Sequence, residues 1–469
     1  MTLRFLAFGL VLSAAACGST SDAGLPAAEG PEPASTTPPP SPSSAPAAAT
    51  SPDAGPAPDA AAPTSTPLPT GRRIAVGMLH SCAVRANGTV KCWGSGIMGS
   101  TGLGSPDSHG NFPGEMAPNL PDVDLGPGVK AVALAAGERH TCALLEGGLV
   151  KCWGTITPQV PSTGIGDEPG EMGAALAPLP FGTGRTVKLL ASSAASRHAC
   201  AILDDGAVKC WGNNALGQLG VGDAVSRTSA ASMGDALPAV DLGEKAMHVA
   251  TGQYHTCAAL ASGAVKCWGN DAERTLGTTV ASFTNPALGD QPGEMGAALP
   301  AVPLPAGFFA VEVAAGVAHS CARAADGRVA CWGRGSDQVR GNCSSSVDPG
   351  PCLLDAPPSA QLVAGERNTA LVDTTGALRV VGRNSSGQVG QGTGAGAVGT
   401  LLGPSYPLTD VGGPVLELAF GETHACALFA ADVVKCWGGN GSGQLGTEKT
   451  TVIGDQPGEM GQALVPAKL

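Results

Sequence analysis

The stretch GQYHTCAALASGAVKCWG, residues 252–269, decides the fold of this chain. Two short apolar runs are separated by Ser262-Gly263, and a glycine in such a turn supplies the positive φ that a tight hairpin needs. The stretch therefore predicts a β-hairpin whose second strand ends in Cys267-Trp268-Gly269.

The same arrangement recurs seven times between residues 71 and 469, at a spacing of roughly 57 residues, which lies in the range of propeller blades. Each copy opens with a small residue, two variable residues and a histidine, except the sixth, which has Asn368. Six copies end in Cys-Trp-Gly. The recurring histidines are His80, His140, His198, His255, His319 and His424, and the tryptophans are Trp93, Trp153, Trp211, Trp268, Trp332 and Trp437. One hairpin per copy predicts an all-β fold, a seven-bladed β-propeller.

Composition agrees with this prediction. The 469 residues include 69 glycines and 39 prolines, whereas only 14% are charged and 4% aromatic, which suits many short strands joined by tight turns. The formal net charge of −12 argues against a nucleic-acid partner, since such a partner requires clustered lysines and arginines.

The cysteines test the hairpin independently. In six copies two cysteines are ten residues apart, so they lie opposite each other when the turn is centred between them. The sixth copy has Ala370 and Val380 instead, and the joint loss of both cysteines is expected of a bonded pair. We predict the disulfides Cys82–Cys92, Cys142–Cys152, Cys200–Cys210, Cys257–Cys267, Cys321–Cys331 and Cys426–Cys436, with a further pair, Cys343–Cys352, in the longer loop of the fifth copy. Of the 15 cysteines, Cys17 is then the odd one.

We interpret the recurring histidine as a structural hydrogen-bonding residue, because one residue at one site of every repeat usually serves packing. Zinc is the alternative, since histidine and cysteine are both zinc ligands. Each hairpin offers only three candidate ligands, and tetrahedral sites usually show two close pairs of ligands. No metal or cofactor is therefore predicted.

The first residues have the pattern of an export signal. Arg4 precedes an apolar run at residues 5–12, which is too short to span a bilayer. Small residues then lead to Cys17, as at a bacterial lipoprotein processing site, where Cys17 would be acylated; ordinary signal cleavage after Ala16 is the alternative. Residues 18–70 are almost entirely Ser, Thr, Pro, Ala, Gly and Asp, and they predict a disordered tether between the signal, 1–17, and the propeller, 71–469.

The residues after the tryptophan carry a family resemblance. GNNALGQLG at 212–220 and GNGSGQLG at 439–446, together with the Gly-x-x-His-Ser/Thr opening, resemble the regulator of chromosome condensation repeat. The cysteines resemble those of a secreted bacterial lipoprotein branch of that family. The resemblance implies a seven-bladed propeller. Eukaryotic members act as nucleotide-exchange factors for a small GTPase and bind chromatin, and an exported acidic chain is expected to meet neither partner.

A second phrase, Gly-Asp-x-Pro-Gly-Glu-Met-Gly, recurs at 166–173, 289–296 and 454–461, with a partial copy at 113–116. We interpret it as turn chemistry with a methionine anchor, because one or two carboxylates per loop are few for calcium, the alternative. The short strand that comes after each phrase lacks a partner at 464–469, and residues 73–76 lack a preceding one. We therefore expect these two ends to pair and close the ring.

The functional prediction is a non-catalytic binding scaffold of the cell envelope. Variable loops present a surface for an unknown protein or glycan partner, and these loops are residues 95–111, 158–164, 272–283, 334–358 and 390–407. The alternatives are a polysaccharide hydrolase or lyase acting at the channel mouth, and a structural envelope component. Only His109 and His248 stand outside the repeat, and neither has an evident catalytic partner in the sequence.

The prediction for the whole chain is a monomer that contacts the membrane only through a lipid anchor. We expect it at the outer membrane or surface of a bacterium, with a soluble secreted protein as the alternative.

Removing the predicted acylation site tests the anchor. Cys17→Ala should move the protein from the membrane fraction to the soluble fraction, because it removes the one predicted site for the acyl chains that hold a lipid-anchored protein in a bilayer. Cell fractionation and blotting measure this, and Ser19→Ala is the control. Equal membrane partition of the two variants would contradict acylation of Cys17.

Overall fold

The computed structural model describes residues 71–156, 164–278, 287–333, 340, 350–392 and 407–469. The predicted signal, Cys17 and the predicted tether lie outside these residues. The chain divides into the units Met1–Pro63 and Thr64–Leu469, and all of the described residues belong to the second. In the part of the chain that the structure describes, no helix is long and apolar enough to cross a membrane.

The second unit is built from short strands joined by turns and loops. The only helical elements in the described ranges are single 3-10 turns, at Ile97–Gly99, Ala230–Ser232, Gly234–Ala236, Ala430–Asp432 and Gly461–Ala463. The strands are β1 Ile74–Val76, β2 His80–Val84, β3 Val90–Gly94, β4 Ala131–Ala136, β5 His140–Leu145, β6 Val150–Gly154, β7 Val187–Ala191, β8 His198–Leu203, β9 Val208–Gly212, β10 Ala246–Thr251, β11 His255–Leu260, β12 Val265–Asn270, β13 Ala287–Leu288, β14 Ala310–Ala315, β15 His319–Ala324, β16 Val329–Gly333, β17 Cys352–Leu353, β18 Ser359–Ala364, β19 Asn368–Asp373, β20 Leu378–Gly382, β21 Glu417–Phe420, β22 His424–Leu428 and β23 Val434–Gly438.

These strands form seven antiparallel sheets, each a meander of three or four strands. The innermost strands β1, β4, β7, β10, β14, β18 and β21 contact one another in that order, and β21 contacts β1, so the sheets form a closed ring of seven blades. The predicted all-β, seven-bladed fold is confirmed. The hairpin of residues 252–269 is the pair β11–β12 of the fourth blade.

The register of each hairpin places the two cysteines directly opposite each other. Cys257 pairs with Cys267 across β11 and β12, and the same pairing occurs in five other blades. The structure contains the six predicted disulfides with a sequence separation of 10. The further predicted pair includes Cys343, which lies outside the described residues. A bridge between adjacent strands fixes the register of a blade that has only a few residues per strand.

The same register defines the two faces of the ring. His255 pairs with Gly269, so the turn before β11 and the long loop after β12 lie at the same end of the blade. We call this end of the ring, formed by the turns before the recurring histidines and the loops after Cys-Trp-Gly, the loop face. The opposite end, formed by turns such as Ser262–Gly263, is the hairpin face.

The expected pairing of residues 464–469 with residues 73–76 is wrong. β1 pairs with β2 of its own blade, and Pro466 bridges to Lys435 in β23, so the last residues form the outer edge of the seventh blade. The same outer bridge occurs within other blades, for example between Val208 and Val240. Each blade thus supplies its own outer segment, and residues 73–76 and 464–469 do not pair with each other.

Packing and polar contacts close the ring instead. Ile74 and Val76 of the first blade join Ala419 and Leu428 of the seventh in one apolar cluster. Next to it, the Arg73 main-chain N–H donates to Glu417 Oε2 at 2.6 Å. The same kind of apolar cluster lies between other neighbouring blades.

Blade six should accept a disulfide that it lacks. Ala370 and Val380 are buried and directly opposite each other in β19 and β20, as the cysteines are in the other blades. The double variant Ala370→Cys with Val380→Cys should form the bond spontaneously in an oxidising medium and raise the free energy of unfolding by about 2 to 3 kcal/mol through its small loop. Mass spectrometry and denaturant unfolding measure both effects.

The single variant Val380→Cys is the matched control, since it adds one thiol without a partner. Two titratable thiols in the oxidised double variant would show that the register of blade six differs from that of the other blades.

Candidate functional site

The recurring histidines lie between blades. Each of the six is buried, and its Nε2 bonds to a hydroxyl of the next blade around the ring. The pairs are His80 with Thr141 (2.9 Å), His140 with Ser192 (2.9 Å), His198 with Thr256 (2.8 Å), His255 with Ser320 (2.8 Å), His319 with Thr369 (3.0 Å) and His424 with Ser81 (3.0 Å). The last pair spans the closure between blades seven and one.

The hydroxyl that accepts a hydrogen bond from the histidine also donates one to a main-chain carbonyl. Thr141 Oγ1 donates to the Ser100 carbonyl at 3.0 Å, and Trp153 Nε1 donates to the same oxygen at 3.1 Å. Because the hydroxyl proton is used in this way, the oxygen must accept from His80, which therefore carries its proton on Nε2. Ser100 belongs to the loop after Cys-Trp-Gly of the first blade, so two groups of the second blade hold that loop. We call this arrangement the histidine relay.

Equivalent relays converge on loop carbonyls of other blades. Gln218 O accepts from Thr256 and Trp268, Thr275 O from Ser320 and Trp332, and Gln444 O from Ser81 and Trp93. Trp437 donates to Gln388 O. Trp211 Nε1 has no partner among the described residues; the corresponding loop of the second blade includes residues 157–163, which lie outside them.

Two departures from the repeat sequence are explained by the relay. The third copy has Ala199 where a hydroxyl is expected, and Ser192, from the longer turn of that blade, supplies it to His140. The seventh copy has Ala425 at the same position, and the preceding blade has Asn368 in place of histidine. Asn368 Nδ2 donates instead to the Arg383 carbonyl in its own blade at 2.7 Å. Histidine and hydroxyl are thus lost together across this interface.

The relay histidines are poorly suited to acid–base chemistry. Burial lowers the pKa of His140, His198, His255 and His424 to about 3, and that of His80 and His319 to about 4. In five blades the ring also lies against the opening glycine of its own turn: a Cβ on Gly77 would lie 2.1 Å from His80 Cε1. The third copy opens with Ala195 instead. The histidines are therefore neutral and fixed, and they hold blades together.

The glutamate of the second recurring phrase is used within its own loop. Glu294 Oε2 accepts the main-chain N–H groups of Gly289 at 2.7 Å and Gln291 at 2.9 Å. Glu171 and Glu459 make the same pair of bonds. A carboxylate that caps its own loop is a turn-forming group, and the described ranges contain no group of three histidine, cysteine or acidic side chains able to hold a metal ion.

A cavity of about 460 Å³ lies along the ring axis, lined by the innermost strands. Arg72 enters it from the first blade and donates to Glu312 Oε1 at 3.2 Å, to the Leu362 carbonyl at 2.9 Å and to the Leu418 carbonyl. Arg323 Nε donates to Glu312 Oε2 at 2.7 Å. Arg72 thus connects blades one, five, six and seven across the axis. The repeat pattern does not predict that Arg72 crosses the axis, because Arg72 precedes the first repeat motif and has no counterpart in the other copies.

The two histidines outside the repeat lie apart. His248 lines the axial cavity, where burial lowers its pKa to about 4, and its Nδ1 accepts from the Val313 main-chain N–H at 3.4 Å. His109 lies in the loop after β3, where its main-chain N–H and carbonyl pair with Gly94. Neither histidine has a side-chain nucleophile or carboxylate among the hydrogen-bond partners described, and the structure does not bring them together.

The predicted binding loops follow the third strand of their blades in the sequence, and Pro358, at the end of one of them, lies next to the hairpin turn at Gly327. Residues 95–111 are described in full, whereas 158–163, 279–283, 334–339, 341–349 and 393–406 lie outside the described residues. The turns before the recurring histidines are described in every blade and form the part of the loop face closest to the axis. Exposed large apolar residues of the loop face are Ile97, Val225 and Tyr254.

Comparison with known proteins gives a consistent family. The model of the regulator of chromosome condensation (RCC1) repeat matches residues 72–99, 131–155, 193–218, 248–273 and 310–338. The ultraviolet-B receptor UVR8 of Arabidopsis thaliana is 27% identical over 385 residues, which are 80% of this chain and 78% of that protein. The mitochondrial RCC1 domain-containing protein RUG3 of the same plant is 30% identical over 210 residues, 44% of each chain, so this chain spans under half of that relative.

Solved structures show the same fold. Prp20p of Saccharomyces cerevisiae, whose binding to Gsp1p and histones was studied with its structure, superposes with a TM-score of 0.57 at 19% identity, covering 76% of this chain and 83% of that one. Human WBSCR16 gives a TM-score of 0.58 at 18% identity, covering 80% and 93%. Identities this low are evidence of the fold alone.

The relay predicts how stability depends on pH. The relay histidines have a pKa of about 3 to 4 in the folded protein and 6.5 as the reference value, so between these limits the unfolded chain binds more protons. The free energy of unfolding should be highest above pH 6.5 and fall as the pH is lowered, by up to about 1.4 kcal/mol per pH unit for each histidine. Denaturant unfolding between about pH 7 and pH 5 measures the slope.

The variant His424→Asn copies the residue found naturally in blade six. It should be less stable at neutral pH and should lower the slope by the contribution of one histidine. An unchanged slope would show that His424 has the same pKa in the folded and the unfolded protein.

Proposed function

We propose that this chain, which belongs to the regulator of chromosome condensation repeat family, is a non-catalytic scaffold that binds a protein or glycan partner through its loop face. Propellers of this family are protein-interaction scaffolds, and Prp20p is one whose structure was studied with its binding of Gsp1p and histones. For this chain the partner is part of the proposal.

The proposal rests on one observation: the recurring polar side chains are already used in hydrogen bonds that hold the ring and its loops together. The six relay histidines are buried in hydrogen bonds between blades, and the glutamates of the second phrase bind their own loops. The residues left for a function are the exposed ones that differ from one repeat to the next. On the loop face this surface consists of loops that differ from blade to blade, which is how a symmetric scaffold acquires one binding site.

The hydrolase or lyase alternative has less support. His248 is held neutral in the axial cavity, and a general base needs a pKa nearer the working pH. His109 is the remaining candidate, and its Nδ1 is buried without a hydrogen-bond partner among the described residues. Turnover of a glycan or ester substrate that is lost in His109→Ala would favour catalysis over binding.

The site of action is proposed from the cysteines and the first residues. Six disulfides indicate folding in an oxidising environment outside the cytoplasm. An acylated Cys17 followed by the tether of residues 18–70 would hold the propeller at the surface of the outer membrane. An exported, soluble scaffold would result if Cys17 is not acylated.

Site-specific photo-crosslinking tests which face binds. A crosslinking amino acid in place of Val225, which is 63% exposed on the loop face, should give one saturable adduct with a cell-surface protein or glycan. The same amino acid in place of Leu149, which is 50% exposed on the hairpin face, is the matched control and should give none. Adducts are measured by gel shift and mass spectrometry on intact cells that produce the protein.

Equal adducts from both positions would contradict binding by the loop face. The absence of a saturable adduct from any exposed position of either face would contradict the scaffold proposal and favour a structural envelope component.

A further inference from the structure

Three consecutive blades place a large side chain at the same position on the loop face. This position immediately precedes the recurring histidine, and it holds Arg139 in blade two, Arg197 in blade three and Tyr254 in blade four. Since the histidine is fixed by its relay, the residue beside it has a fixed main chain at the loop-face end of the boundary between blades. The three side chains therefore form an arc close to the ring axis.

A single carboxylate orients both arginines. Arg197 Nη2 donates to Glu138 Oε1 at 3.0 Å, and Arg197 Nε donates to Glu138 Oε2. Arg139 Nε lies 3.6 Å from Glu138 Oε1. The Glu138 side chain is only 15% exposed, whereas those of Arg197 and Arg139 are 63% and 45% exposed. Glu138 is in turn held across the blade boundary, since its main-chain N–H donates to the Ser196 carbonyl at 3.0 Å.

Arg197 keeps hydrogen-bonding capacity in this arrangement. A guanidinium has five N–H donors, and the two-point contact with Glu138 uses one on Nε and one on Nη2. The Nη1 donors and the second Nη2 donor stay on the exposed side of the group. An arginine that is exposed and already oriented loses less conformational entropy when it binds a carboxylate than a mobile one does.

Apolar groups border the arginines at both ends. Arg139 Nη1 contacts Met98 Sδ at 3.7 Å, and Ile97, next to Met98, is 52% exposed. Met98 adopts φ 57° and ψ 30°, a left-handed conformation that is uncommon for a residue other than glycine and that often marks functional loops. At the other end Tyr254, at the same position of the next blade, is 40% exposed. The arginine–tyrosine patch consists of Ile97, Met98, Glu138, Arg139, Arg197 and Tyr254.

The patch breaks the symmetry of the repeat. Blade six has the same Glu-Arg dipeptide at Glu366-Arg367, and there the neighbouring blade presents Glu422 instead of an arginine. Burial and this second carboxylate raise the pKa of Glu366. Only at blades two and three, among the described turns, does one glutamate hold two arginines. The patch has two positive charges and one negative in a chain whose net charge is −12.

We propose that the arginine–tyrosine patch binds a protein segment that presents a carboxylate beside an aliphatic or aromatic side chain. The carboxylate pairs with Arg197, while the apolar side chain lies on Tyr254 or on Ile97 and Met98. Arginine and tyrosine are enriched at the centres of protein interfaces, and this patch exposes both in one cluster. This assignment rests on the proposed function and names the partner class and the residues for it.

The apolar borders favour a protein segment over an acidic glycan. A uronate chain carries a carboxylate on each sugar and no aliphatic side chain, so it would leave Ile97 and Met98 unused. A protein segment would bury them, and burial of apolar area on both sides of an ion pair excludes water from it.

Selection from a randomised peptide library on the purified full chain tests the patch. Selected peptides should be enriched in aspartate or glutamate next to a large apolar residue. In titrations of one such peptide, Arg197→Ala should weaken binding about tenfold, and Arg197→Lys, which keeps the charge and loses the two-point geometry, should be intermediate. Arg367→Ala, at the same position of blade six, is the matched control and should leave affinity within about twofold.

Circular dichroism and thermal unfolding show whether each variant is folded, and the Arg197→Lys variant keeps the test valid if Arg197→Ala is not. Peptides without acidic enrichment, or equal losses in Arg197→Ala and Arg367→Ala, would overturn the patch while leaving the loop-face scaffold standing. Tighter, Arg197-dependent binding of oligogalacturonate than of any selected peptide would overturn the protein assignment. Failure of the photo-crosslinking experiment, in contrast, concerns the scaffold as a whole.

Discussion

The hydrogen bond from a neutral histidine to a hydroxyl of the next blade is the interaction on which the ring depends. It is buried, so its cost when broken includes leaving a polar group without a partner, typically about 1–3 kcal/mol. The hydroxyl and a tryptophan N–H then converge on one loop carbonyl, as Thr141 and Trp153 do on Ser100. The relay thus connects a blade to the next one and to the loop that lies between them. Its last hydrogen bond joins His424 to Ser81, where the ring closes.

Disulfide and relay have different roles in the blade. The disulfide links two strands of one blade and fixes their register, whereas the relay links that blade to its neighbour. No described strand is longer than six residues, so each buries little apolar area, and neither role is redundant. Blade six shows the separation clearly. It lacks the cysteines and the relay histidine, yet it keeps its register through Ala370 opposite Val380 and its loop through Asn384, whose Oδ1 accepts from the Val389 N–H at 3.0 Å.

The sequence predicted those features that repeat. The ten-residue spacing of the cysteines implied their direct pairing, because residues equidistant from a central turn face each other across a hairpin. The role of the histidine as a hydrogen-bonding residue was inferred, but its acceptor was not, although the copies held the signal: Ala425 follows the one blade without a histidine. Features that occur once were missed or misjudged. Arg72 and Glu312 cross the ring axis without any repeat counterpart, and the two chain ends were paired wrongly because each blade keeps its own outer segment.

This difference between repeated and single features also determines where a binding site can arise. A residue inside the relay cannot change without loss of a bond between blades unless another side chain replaces it, as Ser192 does for Ala199. In five blades the opening glycine cannot gain a side chain because the histidine ring occupies the space. The position between them on the loop face has neither constraint, and it holds Leu79, Arg139, Arg197, Tyr254, Ala318, Arg367 and Thr423 in the seven blades. Each of these residues is anchored by its neighbours, and its identity can still differ from blade to blade. The relay therefore supplies the rigid backbone that an oriented arginine requires, and the chemistry of the face can be changed one blade at a time without altering the ring.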